Sequence, residues 1–388
     1  MAQKLSLMIV AGEPSGDAHA AALIRELRAV TLGRELEVFG ATGSQMRAEG
    51  IESVINTDEL SILGLFEIGR TMPKFLQAYK QLKRAAVARQ PDAVVLVDWP
   101  DFNLRLARAL HRRGIKVIYY ISPQLWAWRP HRVEMIRRDV DLILTILPFE
   151  KTWYADRGVT HVQFVGHPLV GEVVARFDRA EFCRRHGLSS QQPLVSLLPG
   201  SRSKELQRIL PTLLEAAALV SRRQASVQFV LVVAPSRSLH EAELIVSNSR
   251  VSEDLKRSLR VVHGETREAL AASDAAAIAS GTATLEAALL NTPMVVVYRE
   301  SATNWHTLGR LISVEHYGLV NLIAGKLVAT ELIQSEFTAQ RVADELMRLI
   351  EPQRNSEVRT LLKDVVERLG DGGASKRAAQ LITAAVDH

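Results

Sequence analysis

Residues 279–290 read ASGTATLEAALL, and the run before them, DAAAIA from Asp274 to Ala279, is small and apolar. Such a run predicts a buried strand. The chain then turns through Ser280, Gly281 and Thr282 into an Ala- and Leu-rich helix. A strand, a glycine turn and a helix start, in that order, present unpaired backbone N–H groups and the positive end of a helix dipole. Phosphates bind at such a place. Glu286 lies one helical turn past Thr282 on the same face, where a carboxylate can accept two hydrogen bonds from a ribose diol. An ordinary strand-to-helix turn, with Glu286 as a solvated helix residue, fits these residues equally well.

Outward from this stretch the pattern repeats. Leu194 to Leu198 predicts a strand, Pro199-Gly200-Ser201-Arg202 a turn, and a helix follows from Lys204. This second glycine turn at a helix start carries an Arg, whose guanidinium forks diphosphate oxygens and keeps its charge at working pH. Further strands are expected at Phe229–Val233, Ser258–Val262 and Met294–Val297. Asn321 is a polar residue inside the apolar run 320–325 and a third candidate. Residues 339–388 read as charged helices broken at Pro352 and at 370–373.

The first half has the same character. LSLMIVA, residues 5–11, predicts a strand covered on both faces, as in a parallel sheet. Gly12-Glu13-Pro14-Ser15-Gly16-Asp17 follows, then a helix to Val30. The two glycines permit a ligand to approach the backbone, although the spacing is not that of a dinucleotide fingerprint. After a short strand at 38–40, AVVLV at 93–97 is the next buried strand, and DWPDFN at 98–103 follows at once. In open α/β sheets ligands lie beyond the carboxyl ends of strands. Asp98 is the first polar side chain past that end, where a general base belongs; a turn-forming Asp is the alternative. Asp101 and Asn103 read as caps of the helix 104–113. Strands are expected at 116–121, 142–147 and 162–165. Trp126 and Trp128, in SPQLWAWR at 122–129, suggest an apolar or sugar-binding wall, or packing; Arg129, His131, Arg132, Arg137 and Arg138 form a basic cluster. Gly166-His167-Pro168 marks the exit to a linker.

Ile62, Leu63, Leu65, Phe66, Ile68, Met72, Phe75 and Leu76 crowd one segment, followed by Lys74, Lys80, Lys83, Arg84 and Arg89. This is either a core helix with a wet face or a basic amphipathic helix on an anionic membrane surface.

The 388 residues exceed one typical core, so two domains are expected. A 47% hydrophobic and 23% charged composition is that of a globular protein. The single Cys183 excludes an intrachain disulfide framework and a Cys-cluster zinc site, and suits a reducing cytoplasm. No apolar run reaches membrane-span length and no signal peptide is expected. The charge of +5 and pI near 9.4 suit nucleic acid, anionic lipid or a phosphorylated substrate alike. Basic residues are spread rather than striped with aromatics, which argues against nucleic acid.

Two sequential α/β units with phosphate seats in the second resemble a GT-B glycosyltransferase. VAGEPSGD (10–17), DWPDFN (98–103), SPQLWAWR (122–129), LPFE (147–150), GHP (166–168), LLPGSR (197–202) and ASGTATLEA (279–287), in this order, resemble the lipid-A-disaccharide synthase family, glycosyltransferase family 19. The resemblance runs from about Lys4 to Glu336 and departs from the family at Val320, where a Pro is common before the Asn. It implies an α/β GT-B fold: two Rossmann-like parallel-sheet domains facing a central cleft, with C-terminal helices. The expected domains are residues 1–168 (acceptor- and membrane-facing), 169–345 (UDP-sugar-binding) and 346–388, helices packing on their own first domain or on a partner subunit of a homodimer.

The resemblance also implies the reaction. A UDP-linked 2,3-diacylglucosamine gives its sugar, with inversion, to the 6-hydroxyl of 2,3-diacylglucosamine 1-phosphate. The implied roles are Asp98 as base and Arg202 as stabiliser of the departing charge. Gly200, Ser201, Arg202, Ser280, Gly281, Thr282, Glu286 and Asn321 would bind the UDP, and Glu13, Ser15, Gly16 and Asp17 would line the acceptor side. Ile62, Leu63, Leu65, Phe66 and Met72 would touch the cytoplasmic leaflet of the inner membrane, making the enzyme cytoplasmic and peripheral. No cofactor and no metal are expected, since Arg with a helix N-terminus can hold the charge a metal would. The rivals are a UDP-N-acetylglucosamine 2-epimerase, the glycosyltransferase of peptidoglycan lipid synthesis, and a non-catalytic nucleotide binder.

Overall fold

The computed structural model describes residues 4–58, 68–301, 305 and 315–387. The chain divides into two compact units, residues 1–168 with 369–388, and residues 169–368.

The first unit holds β1 (Leu5–Ala11), β2 (Leu36–Thr42), β3 (Glu52–Asn56), β4 (Ala93–Val97), β5 (Val117–Tyr120), β6 (Leu142–Thr145) and β7 (Val162–Phe164). They form one parallel sheet in the order β3-β2-β1-β4-β5-β6-β7. Alternation along β1 builds a core on each face. Met8 and Val10 pack with Phe39, Leu96 and Leu104. Leu7 and Ile9 pack on the other side with Leu23, Ile24 and Leu27 of the helix Pro14–Val30. Both faces are covered, so β1 and β4 read as unbroken apolar runs rather than alternating ones.

The last helix, Ala374–Asp387, packs on its own first unit. Ala374, Ala378, Ala379 and Ile382 join the core of the helix Pro14–Val30. Arg377 Nε donates to the Val165 carbonyl at 2.7 Å, and Arg34 pairs with Asp387 at 2.8 Å. The helices Ala339–Ile350 and Pro352–Arg368 stay with the second unit, so the chain returns at Leu369 rather than at 346.

The second unit holds β8 (Leu194–Leu198), β9 (Gln228–Val233), β10 (Arg260–His263), β11 (Ala275–Ala279), β12 (Met294–Tyr298) and β13 (Glu331–Ile333), all parallel, in the order β10-β9-β8-β11-β12-β13. Sequence patterning did not reveal β3 and β13. Both are edge strands of mixed polarity, ESVIN and ELI, without the doubly covered apolar signature.

In each sheet the strand order reverses once, between β1 and β4 and between β8 and β11. Open α/β sheets place ligands beyond the carboxyl ends of the strands at such a switch. The turns that follow these four strands carry Glu13, Asp98, Arg202 and Gly281.

The expected membrane residues Ile62, Leu63, Leu65 and Phe66 lie outside the described residues. Met72 falls in the helix Ile68–Arg89, but its side chain is also outside the described part. No helix among the described residues is long and apolar enough to cross a membrane.

Candidate active site

In the first unit the chain leaves β4 through Asp98 and Trp99, both left-handed, with φ of 48° and 52°. Among the described residues seven non-glycine residues have positive φ, and four of them, Asp98, Trp99, Ile121 and Arg129, follow β4 or β5. Each such residue costs about 1–3 kcal/mol and clusters of them mark working sites. The surroundings hold this strain in place. The Asp98 carbonyl accepts from the Tyr119 hydroxyl at 2.6 Å and from Asn103 Nδ2 at 2.7 Å. The Trp99 ring stacks on Phe102, with centroids 4.1 Å apart and planes 8° apart. The same ring covers Gly12, where a Cβ would lie 1.9 Å from Trp99 Cδ2. Gly12 thus makes room for Trp99 rather than for a ligand.

The backbone so fixed sets the Asp98 carboxyl half-buried and near Glu13. Burial first, and the Glu13 carboxylate second, push Asp98 up to about 6, against the lowering effect of the Trp99 backbone N–H. That is the range of a base working near neutral pH.

The four residues expected on the acceptor side part company here. Glu13 and Ser15 are exposed. Gly16 is buried against β4, 3.7 Å from the Val97 carbonyl at its would-be Cβ. Asp17 does not offer its carboxylate to a ligand. It is 3% exposed and accepts from the backbone N–H of Gly43 at 2.8 Å, Gln45 at 2.7 Å and Met46 at 3.2 Å. It therefore anchors the turn after β2.

The expected caps are also corrected. Trp99 is the N-cap of the helix Pro100–His111, and no side chain caps it. The Asp101 carboxylate instead receives Arg129 at 3.3 Å and Arg132 at 2.5 Å. Asn103 is buried and turned toward the ends of β4, donating to Val97 and Asp98. Trp126 is packed, not a wall: its Nε1 donates to Glu150 at 3.1 Å and its ring meets Phe149 edge-on at 5.1 Å. Glu150 is fully enclosed and also accepts from Ser122, Ile146 N and Leu147 N. Burial pushes its carboxyl up to about 7 in spite of these four donors.

In the second unit, seven of the eight residues expected around UDP line one open cavity of about 370 Å³: Gly200, Ser201, Arg202, Ser280, Gly281, Thr282 and Glu286. Its floor includes Val232, Pro235 and Ile278. The Ser280 N–H is taken by the Val297 carbonyl at 2.9 Å, and its hydroxyl donates to the Tyr317 carbonyl at 2.9 Å. Helical bonds begin only with Thr284 and Leu285 donating to Gly281 and Thr282. The N–H groups of Gly281, Thr282 and Ala283 therefore carry no helical bond at this turn, whereas that of Ser280 is taken. Glu286 accepts from Arg267 Nε at 3.2 Å and still borders the cavity.

At the other turn an internal anion already sits on the helix start. Glu205 Oε2 accepts from Ser201 N at 3.1 Å and Arg202 N at 3.2 Å, and Oε1 receives Arg202 Nη1 at 3.2 Å. Gly200, at φ 111°, permits this, since a Cβ would lie 2.4 Å from Glu205 Oε2. The signal for Glu205 was legible: an acidic residue three positions past the cap is half of a capping box. Arg202 itself is 80% exposed in its side chain.

Asn321 does not join the cavity. It is fully buried, and its amide is used up. Nδ2 donates to the Ala329 carbonyl and to Glu331 Oε1, both at 2.7 Å, and Oδ1 accepts from Val328 N at 2.8 Å and Ala329 N at 2.9 Å. Glu331 in turn accepts from Tyr317 N at 2.8 Å and Gly318 N at 2.9 Å, and Tyr317 holds Ser280. Asn321 and Glu331 thus brace the cavity's rim from outside. Asn321→Ala is expected to cost about 3 kcal/mol or more, because several buried partners lose their bonds together. Urea unfolding checks this; an Asn321→Ala protein of unchanged stability with weakened UDP binding would instead make the residue a ligand contact.

A model of the lipid-A-disaccharide synthetase family matches residues 7–385 of the chain. The lipid-A-disaccharide synthase of Myxococcus xanthus is 42% identical over 97% of this chain and 96% of its own length. That of Geobacter metallireducens is 40% identical over 97% and 96%. Among solved structures, the UDP-GlcNAc 2-epimerase from Neisseria meningitidis bound to UDP-GlcNAc superposes with a TM-score of 0.63, covering 98% of this chain and all of its own, at 12% identity. That likeness shows the GT-B type of fold, two Rossmann-like units, and at such identity shows nothing of the reaction.

Proposed function

From the premise that the chain belongs to the lipid-A-disaccharide synthase family, we propose the following reaction and division of labour. The enzyme is a hexosyltransferase. It moves 2,3-diacylglucosamine from its UDP derivative to the 6-hydroxyl of 2,3-diacylglucosamine 1-phosphate, giving the acylated disaccharide 1-phosphate and UDP. The observation that carries the donor assignment is the convergence of two distant glycine turns and Glu286 on one cavity.

The transfer is a single displacement with inversion. The acceptor O6–H proton passes to the Asp98 carboxylate while O6 bonds to the donor's anomeric carbon. The bond from that carbon to the β-phosphate oxygen breaks, and UDP leaves with the electron pair. Arg202 and the N–H groups of Gly281 and Thr282 hold the departing charge, and Glu286 binds the ribose diol. Arg202 supplies the positive charge in this scheme. Its full use requires the diphosphate to displace Glu205 from the helix start. Glu13 and Ser15, exposed after β1, face the acceptor in this reading.

Both substrates carry acyl chains, so peripheral attachment to the inner membrane's cytoplasmic leaflet follows. The helix Ile68–Arg89 supports it with exposed Lys80 and Arg84 on the side of Leu76, which is 51% exposed.

The test is UDP release from the diacylated donor with and without acceptor, with the product weighed by mass spectrometry. Release that needs both acylated substrates and yields the disaccharide 1-phosphate is expected. Acceptor-independent turnover of UDP-N-acetylglucosamine to an epimer, or UDP binding without turnover, would replace this reading with one of its rivals.

A further inference from the structure

Beyond β4 and β5, and apart from the base, lies a group of residues the reaction scheme leaves unused. Arg129 and Arg132 both reach one carboxylate oxygen, Oδ1 of Asp101, at 3.3 and 2.5 Å. The two guanidinium groups are held from behind. Arg129 has left-handed backbone, φ 56°, and its guanidinium lies over Trp128, 5.2 Å from the ring centroid. Arg132 is only 17% exposed in its side chain. Asp101, in contrast, is 69% exposed in its side chain, so the anion that joins the two cations sits on the solvent side. Asp101 stands three residues after Asp98, at the start of the helix Pro100–His111. The strained backbone that presents Asp98 follows β4 and the strained backbone that presents Arg129 follows β5, two neighbouring strands of one parallel sheet.

We propose that Arg129 and Arg132 form the seat of a phosphate monoester, the 1-phosphate of the acceptor sugar, and that Asp101 occupies that seat when the acceptor is absent. The proposal rests on the reaction assigned above and adds which residues recognise the acceptor's phosphate. Two guanidinium groups converging on one oxygen match a dianion with three equivalent oxygens better than a single carboxylate. A phosphate fixed there, with Asp98 on the segment that follows the neighbouring strand β4, orients the sugar so that its remote hydroxyl is the one brought to the base.

A lipid headgroup offers related chemistry, and the experiment separates the two sources. Transfer is measured in neutral detergent micelles free of phospholipid, with 2,3-diacylglucosamine 1-phosphate and with its phosphate-free analogue. The readout is the ratio of kcat/KM for the two acceptors. Arg129→Gln and Arg132→Lys are expected to lower this ratio roughly 10- to 100-fold, the usual weight of hydrogen bonds between charged groups, with donor KM near wild type. Asp101→Asn is expected to leave the ratio unchanged or raise it, because the internal competitor is gone. A fall with Asp101→Asn comparable to that of the Arg variants means the arginines serve only to fix Asp101, and overturns the proposal. So does a ratio unmoved by both Arg variants while the wild type transfers normally, or a loss seen only with anionic vesicles, which would place the contact at the membrane. A wild type that transfers to neither acceptor removes the underlying reaction, and the seat with it.

Discussion

Asp98→Asn is expected to lower kcat about 100-fold or more while UDP affinity stays close to wild type. General-base catalysis contributes on that scale, and Asp98 belongs to the first unit while the cavity proposed for UDP belongs to the second. The pH profile adds a sharper sign. A base works deprotonated, so kcat/KM of the wild type should fall as pH drops through about 6, the value to which burial and Glu13 raise the Asp98 carboxyl. Replacing Glu13 by Gln removes the second of these causes and should move that limb to lower pH. Stability runs the other way. A carboxyl raised in the folded state from 3.8 to about 6 binds more protons folded than unfolded between those values, so its contribution is lost as pH rises through that window. The Asn variant should therefore unfold at a higher temperature than wild type at pH 7.5. Near-normal turnover of Asp98→Asn, or an acid limb that Glu13→Gln leaves in place, would take the proton-accepting role from this residue.

Arg202→Ala is expected to reduce kcat by about 100- to 1,000-fold, the loss found when one group stabilising developing negative charge is removed. Arg202→Lys should recover only part, since an ammonium cannot fork a diphosphate. The fold should hardly notice either change. The side chain is 80% exposed and its ion pair is with Glu205 one turn away, a kind of pair worth about 0.3–0.5 kcal/mol. The pairing of a large kinetic loss with an unmoved melting curve is the result to look for in stopped turnover and calorimetry. A variant that keeps kcat while UDP binding collapses would show Arg202 gripping substrate and product alike rather than the charge that develops between them.

Part of the candidate site is legible in the sequence. Arg202, Gly281, Thr282 and Glu286 share one cavity, and the sequence points to them because a strand, a glycine turn and a helix start are contiguous, so local order alone fixes where the N–H groups lie. Asp98 is singled out for the same reason, as the first polar side chain after an apolar strand. Asp17 and Asn321 were misread because a polar side chain looks the same in sequence whether it awaits a ligand or a backbone. Asp17 meets its donors 26 to 29 residues away, and Asn321 meets Glu331 across a turn. No periodicity encodes such pairings.

By itself the sequence determined two parallel sheets, the strand ends that carry polar chemistry, and the family. These rest on short-range rules: apolar runs of strand length, glycine at turns, and motifs kept in order. Tertiary structure alone decided which polar groups remain available. It placed Trp99 over Gly12 and spent the amide of Asn321 and the carboxylate of Asp17 on backbone. It put Asp98 where burial raises its proton affinity. Each of those outcomes depends on what distant segments bring into contact, and hydrogen-bond capacity and dielectric surroundings are set only there.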